Sequence, residues 1–131
     1  MSQRRNDEHV TVIGNDDHVT WDVIKELDEK RVPCYGPLRS IVNGSVSENG
    51  IVLMVITNGK ESLDTLVEIG FLFLDCLRTG ADLICVIEDY QDKSSLASRL
   101  RELVKANAKK NRINVFNDIN SAISHVINLY D

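Results

Sequence analysis

The chain has 131 residues, of which 43% are hydrophobic and 27% charged, and its formal net charge is -5. This length and composition predict a single globular domain with a real core and exclude wholesale disorder. The acidic balance argues against nucleic acid and anionic membranes as main partners, and no apolar run is long enough to span a bilayer.

Residues 1–9 are polar and lack the apolar segment of a secretory signal, so we expect a flexible tail there and one domain over residues 10–131. Cys34, Cys76 and Cys85 show no CxxC spacing and lie in apolar stretches, as reduced thiols of a cytoplasmic protein do. We therefore expect a cytoplasmic location, no metal and no cofactor.

The first half of the chain alternates strand and helix patterns. A β-branched run predicts a strand over residues 10–13, and apolar residues at helical spacing predict a helix over about 19–30. Residues 32–35 predict a short edge strand, because Pro33 cannot donate to a sheet. The Ser-, Asn- and Gly-rich segment 37–50 breaks this rhythm, and we expect a mobile loop there.

The second half continues the alternation. Residues 51–57 and 83–87 predict strands that are apolar on both faces, with a helix over 63–77 between them. The remaining elements are a helix capped by Ser94 or Ser95 with apolar positions Leu96, Leu100, Leu103 and Val104, a strand over 113–116, and a closing helix with apolar positions Ile123, Val126, Ile127 and Tyr130.

Strands that are apolar on both faces require a sheet covered by helices on both sides. The sequence therefore predicts a three-layer α/β/α domain of flavodoxin-like type with a five-stranded parallel sheet. Right-handed crossovers favour the strand order 2-1-3-4-5.

Ligands of such sheets bind beyond the carboxyl ends of the strands, near the switch in strand order. The segments predicted at this rim are polar, although each is also typical of a solvated turn or a helix cap. Candidate binding residues are Gly14, Asn15, His18, Tyr35, Asn58, Gly59, Ser62, Asp64 and Asp89, with Asp16 and Asp17 as candidate acids.

Glu68 stands in the second turn of a largely apolar helix. At 100° per residue it shares a stripe with Asp64 and Asp75. The apolar positions assigned to the opposite half of this helix are Leu63, Leu66, Val67, Gly70, Phe73, Leu74 and Leu77. The stripe favours a solvated face, but the short distance from the helix start puts Glu68 within reach of the rim. Periodicity alone leaves both interpretations open.

The run Ser62-Leu63-Asp64-Thr65-Leu66-Val67-Glu68-Ile69-Gly70 resembles the nucleoside 2-deoxyribosyltransferase signature Asp-x-Gly-Thr-x-x-Glu-Ile-Gly. It departs from that signature at Ser62, where the family has Asp, and at Asp64, where it has Gly. The first loop reads Gly14-Asn15 where Gly-Pro is usual.

The resemblance implies an enzyme that displaces the base of a nucleoside or nucleotide through a covalent glycosyl intermediate on Glu68. A homo-oligomer is expected because related enzymes complete each pocket with a neighbouring chain. A second group must protonate the leaving base. The rim offers Asp16, Asp17 and His18 for this role, with Asp89 and Asp92 behind them, and of these Asp16 or Asp17 is preferred. The alternatives are a TIR-like NAD glycohydrolase and a non-catalytic nucleotide-binding module on the same scaffold.

A phosphorelay receiver domain shares the length and the early acidic pair, but the strand over 51–57 does not end in a phosphoacceptor Asp, which argues against that class. A cluster of basic residues late in the chain is mostly spaced for a solvated helix face rather than for nucleic acid. Its members are Arg99, Arg101, Lys105, Lys109, Lys110 and Arg112.

Overall fold

A computed structural model of the chain describes residues 9–36, 50–59, 63–80, 82–92 and 94–130. Strands and helices alternate as β1 (Val10–Gly14), α1 (Asp17–Glu29), β2 (Cys34–Tyr35), β3 (Ile51–Ile56), α2 (Leu63–Thr79), β4 (Asp82–Ile87), α3 (Leu96–Lys110), β5 (Asn114–Phe116) and α4 (Ile119–Tyr130). Most of the predicted tail and most of the predicted loop over 37–50 lie outside the described residues. Within the described ranges, no helix has the length and apolar character needed to cross a membrane.

The strands pair side by side in parallel, in the order β2-β1-β3-β4-β5. Every residue of β3 is buried, and so are the last five of the six residues of β4. The edge strand β2 contributes only two pairings to β1 and begins two residues later than predicted, after Pro33. The predicted α/β class with a parallel sheet is confirmed, and the arrangement is compatible with a flavodoxin-like fold.

Two helix layers enclose the sheet. One core cluster joins α1 and α4 to one face, with Leu27 and Val126 packed among the strand residues. The other joins α2 and α3 to the opposite face, with Phe73 and Val104 in the same role. The sheet is therefore buried on both sides, which explains why its central strands are apolar throughout.

Helix caps set where the helices begin. Asp16 caps α1 by accepting hydrogen bonds from the backbone N–H groups of His18 and Val19, at 3.0 and 3.4 Å, so the helix begins two residues before the predicted position. Ser95 caps α3 by accepting from the N–H of Ser98 at 3.1 Å, which decides between the two serines proposed from the sequence.

The buried faces of α2 and α3 differ from those predicted. Leu96 and Leu103 of α3 are exposed, and its buried stripe consists of Ala97, Ser98, Arg101, Val104 and Ala108. In α2, Val67 and Leu74 are exposed, whereas its buried positions are Leu66, Ile69, Leu72, Phe73 and Cys76. Residue size explains the error in α3, because the small side chains of its buried stripe let the helix lie close to the sheet.

Candidate functional site

The carboxyl ends of β1 and β3 are tied together by Asn15 and Thr57. The Asn15 Oδ1 accepts hydrogen bonds from the backbone N–H and the Oγ1 of Thr57, at 2.9 and 3.2 Å. The Asn15 Nδ2 donates to the Thr57 carbonyl oxygen at 3.2 Å. These three bonds, which we name the Asn15–Thr57 clasp, fix the rim at the point where the strand order reverses between β1 and β3.

A buried arginine lies behind the clasp. The Arg101 side chain is only 1% exposed, donates from Nη1 to the Ala97 carbonyl at 2.9 Å, and donates from Nη2 to the Thr57 carbonyl. Its guanidinium carbon lies 4.7 Å from the centroid of the Tyr90 ring, which is within the range of a cation–π contact. Arg101 thereby joins α3 to the end of β3.

The sequence-based assignment of Arg101 to a solvated basic face is wrong. A helical stripe with Ala97, Val104 and Ala108, four residues before it and three and seven after it, was the signal that could have located it. That stripe is easily missed because two of its members are alanines and the neighbouring leucines give a stronger apolar pattern.

Asp16 faces the end of β3 as well as its own helix. Its Oδ1 is used in capping α1, while a Cβ added at Gly59 would stand 3.9 Å from its Oδ2. Asp17 and His18 are exposed in the first turn of α1. Asp16 therefore lies beside the loop that follows β3.

Packing alone accounts for the glycine at position 14. A Cβ there would lie 2.6 Å from the Val55 carbonyl oxygen and 2.8 Å from the Thr20 Oγ1, both too close for a real contact. The hydrogen bond from the Asn15 N–H to the same Val55 oxygen, at 3.3 Å, holds the strands at this separation. Gly14 thus allows β1, β3 and α1 to converge.

The ends of β3 and β4 are also joined. The Asn58 backbone N–H donates to the Glu88 Oε1 at 3.0 Å, and the Glu88 N–H donates to the Ile56 carbonyl at 2.9 Å. The side chain of Asn58 is left exposed at the rim. Asp89, a predicted binding residue, is exposed and forms an ion pair with the Lys105 Nζ at 2.8 Å.

Glu68 is exposed in the second turn of α2. Two residues further on, a Cβ added at Gly70 would contact the Leu100 Cδ1 of α3 at 3.9 Å, so Gly70 marks the side of α2 that faces α3. A separation of two residues is about 200° around a helix. Glu68 therefore points away from α3, towards the half of the sheet that contains β1. In the part of the chain that is described, no residue forms a hydrogen bond or ion pair with its carboxylate.

The remaining predicted residues are only partly placed. Asp64 is exposed in the first turn of α2, and the Tyr35 backbone pairs with Thr11 in the sheet. Ser62 and the Tyr35 side chain lie outside the described residues. The site seen from the described residues thus consists of a fixed floor, the clasp with Arg101, and of exposed carboxyl and amide groups around it.

The cysteines do not take part in this rim. Burial raises the pKa of Cys76 to about 11 and that of Cys85 to about 12, with a smaller contribution from the neighbouring Asp75 and Cys76 respectively. Both thiols are therefore protonated and unreactive at neutral pH.

Among the described residues, no group of three or more His, Cys, Asp or Glu side chains is arranged to hold a metal ion.

The arrangement offers hydrogen bonds and an accessible carboxylate rather than redox or metal chemistry at the described positions. Asp16, Asn58 and the backbone around Gly59 can bind a polar ligand, and Glu68 is open to an electrophilic carbon.

Comparisons with models of known protein families, with curated proteins and with solved structures each found no match. The chemistry of the rim itself is therefore the basis for a proposal of function.

Proposed function

We propose that this protein cleaves or transfers the N-glycosidic bond of a nucleoside or nucleotide, with Glu68 as nucleophile. The observation that carries the proposal is the position of Glu68 on α2. It lies near the start of the helix that follows β3, it is exposed, and it points away from α3 towards the side of the sheet where Asn15 and Asp16 follow β1. A ligand bound across β1 and β3 would lie beside it.

The proposed fold context is flavodoxin-like, with the strand order 2-1-3-4-5 and the ligand at the switch between β1 and β3. The clasp supports this location because it keeps the two strand ends at a fixed separation. The exposed side chain of Asn58 takes no part in the clasp and is left to contact a ligand. A floor that does not move on binding lowers the cost of ordering the site.

In the proposed reaction, a carboxylate oxygen of Glu68 attacks C1′ of the sugar. The bond from C1′ to the base nitrogen breaks, its electron pair passes to the base, and Asp16 donates a proton to that nitrogen. A second base or a water molecule then attacks C1′ and releases the Glu68 carboxylate, while Asp16 takes the proton of the incoming group and is ready for the next turnover, as in retaining glycosidases. The Oδ2 of Asp16, which is not used in capping α1, is the oxygen assigned to the proton transfer.

A non-catalytic nucleotide-binding module is the second candidate. It is favoured by the exposure of Glu68 and by the absence of any described residue that orients its carboxylate, since a nucleophile is normally shielded and held by its neighbours. The replacement of the signature Asp by Ser62 points in the same direction. If the reaction occurs, the substrate alternative is NAD, as in TIR-like glycohydrolases.

The test is a chromatographic assay of the purified protein with deoxynucleosides, each offered a different free base, beside ribonucleotide and NAD arms. Glu68→Gln is the inactivating variant and Glu102→Gln, which alters an exposed carboxylate on α3, is the matched control. A new nucleoside that depends on Glu68 supports transfer, and a free base alone supports hydrolysis. Mass spectrometry of the acid-quenched protein should detect the glycosyl ester in the wild type and not in Glu68→Gln.

Turnover that survives Glu68→Gln contradicts the proposed nucleophile. No product in any arm overturns the catalytic proposal and favours the binding module, for which nucleotide-dependent shifts in melting temperature are the next measurement.

A further inference from the structure

The exposed large apolar side chains are concentrated on one helix layer. Among the described residues, five of the six lie on α2 and α3, and the sixth, Trp21, lies on α1. Phe71 and Leu103 are the most exposed, at 66% and 61%. The other three are Val67, Leu74 and Leu96. A cluster of this kind marks an interaction surface, because scattered single residues would be distributed over all faces.

These side chains border a groove between the two helices. The groove has a volume of about 210 Å³ and is lined by residues of both helices, among them Gly70, Leu74, Leu100 and Leu103. Gly70 stands against Leu100, Phe71 is one residue after Gly70 and Leu103 is three residues after Leu100, so Phe71 and Leu103 lie within about one helical turn of the same height. The two most exposed apolar residues of the layer are thus neighbours across the groove.

The two helices carry opposite charge. α2 contains three carboxylates, Asp64, Glu68 and Asp75, and one basic residue, Arg78. α3 contains one carboxylate, Glu102, and, apart from the buried Arg101, four basic residues that include Arg99 near its start and Lys110 at its end. An acidic helix beside a basic one, with apolar residues between them, is a surface that complements itself.

We propose that a second copy of this chain docks on the α2–α3 face, around a two-fold axis parallel to the helices. This axis sets α2 of each copy against α3 of the other and preserves the height of every residue. Phe71 then meets Leu103 of the other copy. The other face-to-face arrangement, with the axis across the helices, would set α2 against α2 and bring like charges together.

The size of the face indicates a reversible dimer. Helices of 17 and 15 residues are about 25 Å long and, side by side, cover about 20 Å, or roughly 500 Å² per copy. The total of about 1,000 Å² is near the lower limit for a specific interface. Association should therefore depend on protein concentration. The inference stands apart from the proposed reaction, because its measurement does not involve turnover.

The test is sedimentation equilibrium of the full chain over a wide range of concentration. Phe71→Glu and Leu103→Glu should each weaken association by about tenfold or more, since both place a charge in the apolar centre of the interface. Trp21→Glu, which alters the exposed apolar residue of α1, is the control and should leave association unchanged. Circular dichroism should show each variant folded, because all three side chains are exposed.

A charge pair tests the orientation. Leu103→Lys should weaken the dimer as Phe71→Glu does, and the double variant that carries both should restore it in part, because Phe71 meets Leu103 of the other copy. A chain that is monomeric at every concentration, or a dimer indifferent to both Phe71→Glu and Leu103→Glu, overturns the proposal. A dimer that the double charge variant weakens further overturns the axis proposed here.

Discussion

The end of β3, where it is joined to β1, and the opening turns of α2 follow one another in the chain but are opposite in character. At the junction, Asn15, Thr57 and Arg101 are held by several hydrogen bonds, and Thr57 and Arg101 are buried. In the opening turns of α2, Asp64 and Glu68 are exposed. The difference fits the division of roles that we propose, in which the junction is a fixed floor and α2 carries the exposed carboxylate.

The largest expected effect on stability lies at the junction. Gly14→Ala should reduce the free energy of unfolding by about 3 kcal/mol, because the new Cβ meets a backbone oxygen that cannot move aside. The matched change on α2, Gly70→Ala, has only Leu100 within 4 Å and should be neutral or stabilise the helix by up to about 1 kcal/mol. Urea denaturation measures both, and equal losses would erase the contrast between the two regions.

The clasp gives the next largest effect. Asn15→Ala removes three hydrogen bonds and leaves the N–H of buried Thr57 without the Asn15 oxygen, which should cost about 2 kcal/mol. Asn58→Ala, at the same rim but with an exposed side chain, should stay within about 0.5 kcal/mol of the wild type. Chemical denaturation of the two variants side by side compares them. If Asn58→Ala lowered the free energy of unfolding as much as Asn15→Ala, the two side chains would contribute equally to stability, and the clasp would have no special role.

The core between β4 and α2 can be tested by pH, because Cys85 of β4 is buried there in the same cluster as Cys76 of α2. The pKa of Cys85 is raised from 9.0 to about 12, so the folded protein keeps this proton at pH values where the unfolded chain loses it. Stability is therefore unaffected by this thiol below pH 9 and falls as the pH rises towards 12, by about 1 kcal/mol at pH 10. Cys76 acts in the same direction, with a pKa of about 11.

Removing the thiol isolates its contribution. Cys85→Ala should lose less stability than the wild type between pH 8 and about 10, by about 1 kcal/mol, whatever constant cost its smaller side chain imposes. Thermal denaturation at matched pH values gives the comparison. Parallel pH profiles would mean that the Cys85 thiol is not shielded from water in the folded protein.

The smallest effect on stability is expected at Glu68. Glu68→Gln should change the free energy of unfolding by less than about 0.5 kcal/mol, because the side chain is exposed and no described residue contacts its carboxylate. The same substitution should abolish any glycosyl transfer. A strongly destabilised Glu68→Gln would falsify the separation between a structural floor and a reactive helix, and calorimetry decides it.

Much of the fold could be predicted because its signals are local. Runs such as Ile51–Ile56, apolar on both faces, admit few structures other than a covered parallel strand. Helix orientation was harder, since in α3 the leucines that mark the periodicity are largely exposed and an arginine is buried. Which of two possible faces a helix buries depends on the space available above the sheet. That space is set by residues far away in the sequence, so the helix's own pattern does not predict it.

The site could be predicted in outline and not in its contacts. Asn15 and Asp16 were expected at the rim because they follow the first strand, and both are found beside the end of β3. Thr57 and Arg101, which form the floor, were missed as site residues. Their hydrogen bond joins positions 44 residues apart, and no pattern in the sequence predicts it. The reactive role of Glu68 stays a prediction.

The short edge strands have a consequence for how this protein meets others. Within the described part of the chain, β2 contains two residues and β5 three, so each of these edge strands offers little free backbone. A sheet with such edges offers few N–H and C=O groups for strand addition, the route by which edges aggregate or recruit extended peptides. Assembly through backbone pairing is thereby disfavoured, and contacts between copies are left to side chains.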